Sequence, residues 1–238
     1  MARQLAVTMM VLISALIMLS IGFTSSDSLQ QSQEYESHWR LIERIQKIWH
    51  TRWHEISKQL RKDPVDFSHR QLSAEETDLI NKCLEFIKDP KKDLVERDTL
   101  LIELRKYPHI SMLDDLIEIA KQQPSDKEPW RTLMVSFMEN AVIAIGRIAD
   151  ERAIEALIKL IDSPVVEVRL RSLEQLQKLL GKQLPQGYRW GDYPLSPRHP
   201  ICTEKGRRQG LETLQLWWRQ NKDKIKIYWQ VVWWHICS

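Results

Sequence analysis

The amino-acid sequence predicts an all-α fold. It reads as a long N-terminal helix, about three helical hairpins stacked as a short right-handed α-solenoid, and a C-terminal capping helix. Three observations lead there. Glycine is scarce, 7 in 238 residues, where an average usage of roughly 7% would supply about 16 or 17. That argues against an all-β sandwich, whose tight turns need Gly. Apolar residues recur at spacings of three and four over long stretches, the period of a half-buried helix. The helical stretches also pair up, and the second members start near residues 94, 130 and 165. A period of about 35–36 residues, one hairpin long, marks a stacked array.

Composition narrows the class further. The chain is 43% apolar and 28% charged, a globular balance. Neither GxGxxG nor GxxxxGK[ST] occurs, so no phosphate-cradling loop is present. Lys and Arg (35) nearly match Asp and Glu (32), and the signs are interspersed. A nucleic-acid binder concentrates its basic residues on one face, and nucleic acid is not an expected partner.

Four segments follow in order. Residues 1–26 carry one charged side chain, Arg3, and an apolar run from Leu5 to Phe23. This is the layout of a secretory signal, with small residues at Ser20-Ile21-Gly22 and Thr24-Ser25-Ser26. The run is also close to the ~17–25 residues that span a bilayer, so an uncleaved anchor competes, and a buried helix is the third reading. The first two place the rest of the chain outside the cytoplasm. There, Cys83, Cys202 and Cys237 are an odd number, leaving at least one unpaired within the chain. Cys83 sits on an apolar helix face and reads as a small buried hydrophobe; Cys202 and Cys237 are the candidate pair.

Residues 27–72 are a polar leader and an amphipathic helix over 35–61. Its stripe is Trp39, Ile42, Ile45, Trp49, Trp53, Ile56 and Leu60, and Asp63-Pro64 ends it. Residues 73–180 are the hairpins. Ser73-Ala74-Glu75-Glu76 is a capping box. The helices are predicted over 74–88 and 93–107, 111–122 and 129–148, and 151–161 and 165–180. Residues 181–238 are a loop to 206, a helix over 207–221 with Leu211, Leu214, Trp217 and Trp218, and an aromatic tail. In the tail Lys224, Lys226, Tyr228 and Gln230 alternate with Ile225, Ile227, Trp229 and Val231, which favours an extended segment. Packing along the last helix, pairing with another chain, and a membrane interface are its three readings.

The third hairpin carries a family resemblance. Ala141 to Asp150 is followed by Ala153 to Asp162, then Pro164, Val168-Arg169 and Ser172. This resembles the bacterial HEAT-like repeat named for phycobilisome lyases, over about 141–180. The resemblance implies small residues at helix crossings, an Asp accepting hydrogen bonds in the turn, and an Arg pairing with an acidic group of a neighbouring repeat. The earlier pairs match in length and hydrophobic pattern only: Met138 stands where the second pair would place its Arg, and Val95-Glu96-Arg97 is one residue out of step. The segment ending Trp217-Trp218-Arg219-Gln220-Asn221-Lys222 is similar to the close of a group of exported bacterial HEAT-repeat proteins.

Catalytic and metal readings find little. His50 and His54 are four apart, but Thr51-Arg52-Trp53 between them is no HExxH, and two His leave zinc short of ligands. Asp114, Asp115, Glu118 and Glu139 read as solvated helix faces balanced by neighbours such as Lys121 and Arg147. No GxSxG or CxxC occurs. No cofactor is expected. The fold-level expectation is non-catalytic protein–protein interaction in an extracytoplasmic compartment, through the face of the second helices. Arg97, Arg105, Arg131, Glu139, Arg147, Glu167 and Arg171 are the expected exposed residues of that face, with Arg169 assigned to internal pairing. Trp130, Arg131, Arg147, Arg171, Trp190, Trp233 and Trp234 are the candidate partner contacts. The alternatives are a membrane-anchored structural component, associated through residues 5–23, and an enzyme resembling the bilin lyases.

Overall fold

The computed structural model describes residues 38–48, 50–51, 68–124, 126–185, 187–188 and 203–225. The 1–26 segment, most of helix 35–61, Cys202, Cys237, Trp190 and the tail with Trp233 and Trp234 lie outside the described residues. The chain divides into two units, 1–40 and 41–238, and every element from Leu41 onward belongs to the second. Regular structure among the described residues is helical throughout. No described helix is long and apolar enough to cross a membrane.

Helix α1 spans 38–48, with Ile42 and Ile45 buried as the stripe predicts. The hairpins follow as α2 (Ala74–Lys88) with α3 (Leu94–Leu104), α4 (Leu113–Ala120) with α5 (Trp130–Ile145), and α6 (Glu151–Leu160) with α7 (Val166–Leu180). Helix α8 (Glu204–Asn221) closes the described fold. Predicted ends are right within about three residues, the usual uncertainty of boundaries read by pattern. The second hairpin starts differently from the prediction, with a 3-10 turn at Ile110–Met112 ahead of α4.

Local chemistry sets the starts. Ser73 and Glu76 make the capping box reciprocally: Glu76 N–H donates to Ser73 Oγ at 3.2 Å and Ser73 N–H to Glu76 Oε2 at 2.8 Å. Asp93 caps α3 by accepting from Val95 and Glu96 N–H, Asp150 caps α6 by accepting from Arg152 N–H, and Thr203 caps α8. Helix α7 stops at Gly181, whose φ of 55° suits glycine.

Packing forms two layers. The partners of each hairpin pack together. Helices α3, α5 and α7 also pack closely side by side, while α2, α4 and α6 touch one another more lightly. The core between the layers is apolar, with Leu100, Leu101, Leu116, Phe137, Ile145, Leu157 and Leu176 all fully buried. Fully burying one such side chain is worth about 1.5–3 kcal/mol. Gly146 marks the tightest crossing: a Cβ there would lie 2.5 Å from Gln175 Cβ and Cγ. Helix α8 packs against α6. Leu214 and Trp218 are buried, and Trp218 donates its indole N–H to Glu155 Oε1 at 3.3 Å, whereas Trp217, equally part of the predicted stripe, is half-buried.

Candidate functional site

The second helices share a continuous polar seam. Asp98 on α3 accepts from Asn140 Nδ2 at 2.6 Å and Ser136 Oγ at 3.3 Å, both on α5. Arg105 donates to Asn140 Oδ1, so both ends of that amide are engaged. Arg147 Nη1 donates to the Arg105 carbonyl at 3.0 Å. These pairs run in the same order along both helices, so α3 and α5 are parallel. Burial pushes the Asp98 carboxyl above the usual carboxylate range despite its hydrogen bonds, and burial likewise lowers Arg105.

The seam continues from α5 to α7. Arg171 donates to Glu139 Oε1 from Nε at 3.1 Å and Nη2 at 2.9 Å, and from Nη1 to Glu174. Lys178 Nζ lies 2.7 Å from Glu174 Oε1. Burial works to raise the Glu174 carboxyl, but Lys178 and Arg171 hold it below its ordinary value. Arg171 is raised in turn: burial opposes its charge, and Glu174 and Glu139 outweigh that. The arrangement presents fixed, mutually neutralising charges on a rigid face. Among the described residues, no group of three or more His, Cys, Asp or Glu is placed to hold a metal ion.

Several expected contact residues have structural tasks. Arg97, expected to be exposed, is 6% exposed. Its Nε donates to the Ile87 carbonyl at 2.6 Å, and its guanidinium lies 4.9 Å from the Phe137 ring centroid. Arg169 is internal as expected, but its partners are the Ser163 and Pro164 carbonyls, at 2.7 and 3.2 Å, rather than a carboxylate. Arg97 and Arg169 are each the fourth residue of their helix. The offset between Val95-Glu96-Arg97 and Val168-Arg169 therefore disappears once both are counted from the helix start. Asp162 lies 3.6 Å from Arg207 Nε across to α8, and the turn is capped instead by Ser163 Oγ, which accepts from Val165 N–H at 3.2 Å.

Of the remaining candidates, Trp130 is 51% exposed at the start of α5. Arg131 beside it is exposed, 3.9 Å from Glu128. Arg105, Arg147, Arg171 and Glu139 are drawn into the seam, and Glu167 is half-buried with one carboxylate oxygen enclosed. His50 is exposed, and His54 lies outside the described residues. Asp114 takes a forked contact from Arg152 at 2.8 and 3.0 Å, and Asp115 pairs with Lys88 at 2.5 Å. Neither uses the Lys121 or Arg147 suggested by sequence proximity. Cys83 is fully buried and its thiol is pushed up to about 12 by that burial, the inert environment expected of a packing cysteine.

Sequence reasoning missed a strap. Residues 68–70 run across the turns that join one hairpin to the next. Ala149 N–H donates to Ser68 Oγ at 2.8 Å and Ile110 N–H to the Ser68 carbonyl at 2.9 Å. His69 Nε2 lies 2.8 Å from Asp150 Oδ2. His109 Nε2 donates to the Arg70 carbonyl at 3.1 Å while its Nδ1 accepts from Ser111 N–H. No periodic signal marks Ser68-His69-Arg70, because its partners lie far away in sequence. A scan against protein-family models, a search of curated proteins and a search of solved structures each found no match.

Proposed function

We propose that the chain is a non-catalytic, extracytoplasmic protein–protein interaction scaffold, built as a short HEAT-like α-solenoid that binds its partner on the face of the second helices. The side-by-side packing of α3, α5 and α7 carries this reading. It makes one surface from three sequence-distant segments, and the seam from Asp98 to Lys178 holds that surface stiff. A rigid face loses little conformational entropy on binding. The extracytoplasmic placement draws on the apolar run Leu5–Phe23 and the polar stretch after it.

Photo-crosslinking in the native host tests the reading. A photoreactive residue at Arg131 or Ile143, on the second-helix layer, is expected to give one discrete adduct of constant mass. The same residue at Glu151 or Lys159, on the first-helix layer, is expected to give none. Adducts from the first layer alone overturn the assignment of the face. A membrane-anchored structural component is the second reading, favoured by the length of the Leu5–Phe23 run. Its mark is a full-length mass in the carbonate-resistant membrane fraction.

A further inference from the structure

The turns within the hairpins, 89–93, 121–129 and 161–165, lie at the opposite edge from the strap. Four large apolar residues stand out as exposed among the described residues: Val95 at 51%, Trp130 at 51%, Val166 at 47% and Leu216 at 53%. Three of them are at this edge, in the first turns of α3, α5 and α7. Helical Cα–Cβ bonds tilt toward the N-terminus, so first-turn side chains lean out past the helix end. The three helices are neighbours, and typical spacings of about 8–10 Å put the side chains in a row roughly 16–20 Å long.

The row has a leading member. Asp98 is level with the turn from Ser136 to Asn140 across α3 and α5, and Glu139 with Arg171 across α5 and α7. Counting back from those pairs, Trp130 stands three to seven residues beyond Val95 and four beyond Val166. At 1.5 Å rise per residue that is about 5–10 Å. The turn before α3 carries Lys91 and Lys92 with Asp89 and Asp93, and the residues around the start of α5 include Lys127 and Arg131 with Asp126 and Glu128.

We propose that this edge seats on a lipid bilayer surface, with Trp130 leading and Val95 and Val166 beside it at the boundary of headgroups and acyl chains. The spacing favours lipid over protein. A protein interface needs a contiguous apolar core, and a stable one buries at least about 1,000 Å². Even a fully buried Trp contributes only about 150–250 Å², and here its apolar neighbours are two smaller side chains, each on an adjacent helix. A headgroup layer is deformable and accepts apolar side chains singly, and Trp is favoured at that depth. Because the charges balance, insertion depends on apolar contact and not on anionic lipid. The inference concerns a different surface from the second-helix face and does not rest on the scaffold reading.

The test uses the full chain with phosphatidylcholine vesicles whose acyl chains are plain or brominated. Subtracting the emission of Trp130→Leu from that of the native chain isolates Trp130, whatever residues 5–23 do. The expected result is a quench of the difference emission by about twofold or more in brominated vesicles, as for a ring entering the ~5–10 Å boundary layer. The Val95→Ser/Val166→Ser chain is expected to quench less. Trp130→Phe supplies an independent subtraction, so a folding defect in one variant leaves the test intact, and far-UV circular dichroism checks both. Equal difference emission in the two vesicle types overturns the proposal. So does a quench that appears only when phosphatidylglycerol is added, which would assign binding to charge. A concentration-dependent blue shift without vesicles would place a second copy at the edge and overturn it too.

Discussion

The two edges of the helical array are held in opposite ways. At the edge between hairpins, the turns are fastened from outside by residues 68–70 and from within by Arg147 on the Arg105 carbonyl. At the edge within hairpins, the first and third turns are fastened from beneath. Arg97 reaches up to the Ile87 carbonyl, and Arg169 to the carbonyls of Ser163 and Pro164. The first edge has its outer side covered by its own chain. At the second, the Ile87, Ser163 and Pro164 carbonyls are satisfied from inside, since buried carbonyls need a partner but not one from outside. An edge secured from below can expose apolar side chains without loosening.

The contrast is broken most severely at Arg169. Replacing it with Leu strips the partners from two carbonyls beside a residue only 4% exposed. Leaving buried polar groups unsatisfied costs about 1–3 kcal/mol each, so Arg169→Leu is expected to lower unfolding stability by about 2–4 kcal/mol in urea titrations. Lys has a point charge without the planar fork, so Arg169→Lys should recover only part of the loss. Equal stability of Arg169→Leu and the native chain would mean that the turn does not need its fastening.

Gly146→Ala attacks the crossing behind the latched edge. Its backbone is ordinary helix at φ −66°, so the effect is steric alone. The added carbon meets the Gln175 side chain at 2.5 Å, and overpacking of this kind costs about 1–3 kcal/mol. Gln175→Ala should rescue it, and a double-mutant cycle reads the coupling. The strap comes next. Ser68→Ala leaves the Ala149 N–H without its acceptor at a residue 2% exposed, for an expected loss of about 1–2 kcal/mol. Amide exchange at Ala149 and Ile110 should quicken with it, while amides at the other edge, such as Val165, keep their native rates.

These three sites also show what the sequence makes legible. The stripe through Ile42 and Ile45, the Ser73–Glu76 box and the six hairpin helices are local patterns, and period and capping chemistry reveal them. Gly146 is visible as a small residue at a crossing, although its neighbour Gln175 is not. Arg97 reads as a solvent-facing charge in the sequence, where it stands between Glu96 and Asp98. Its burial follows from a carbonyl ten residues earlier and a ring forty residues later, and no spacing rule contains either. Counting from the N-cap would have aligned it with Arg169. The strap and the seam join residues far apart in sequence, such as Asp98 with Asn140 and Ser68 with Ala149, so they follow from the packing of the hairpins and not from any one segment.

A gentler perturbation sharpens the seam. Burial raises the Asp98 carboxyl in the folded chain. The folded state therefore binds that proton more tightly than the unfolded state does. This contribution to stability is fully present below the unfolded value, about 3.9, and is lost as pH rises through the higher folded value. Asp98→Asn removes the titration. The expected outcome is a flatter dependence of stability on pH from about 3.9 upward to the folded value, by urea midpoints from acid to neutral pH. An unchanged slope would mean that Asp98 is ionised at no cost.

The smallest expected effect is at Trp130, and it is the most telling. A tryptophan that packs in a core costs about 3–5 kcal/mol when truncated. Trp130 is half exposed at the first residue of α5, where Pro129 offers no side-chain cap and the Glu128 carboxylate takes the Thr132 N–H at 3.3 Å. Trp130→Ser removes little contact and puts a residue suited to helix starts at that end. Its stability is expected to stay within about 0.5 kcal/mol of native, the range of ordinary surface substitutions. A chain that keeps a large aromatic side chain where folding does not need it has that side chain free for something else to touch. If Trp130→Ser proves as damaging as Ser68→Ala, the two edges are equally structural and that freedom is lost. If it is silent in urea yet changes how the chain meets vesicles, the free edge is separated from the fold that carries it.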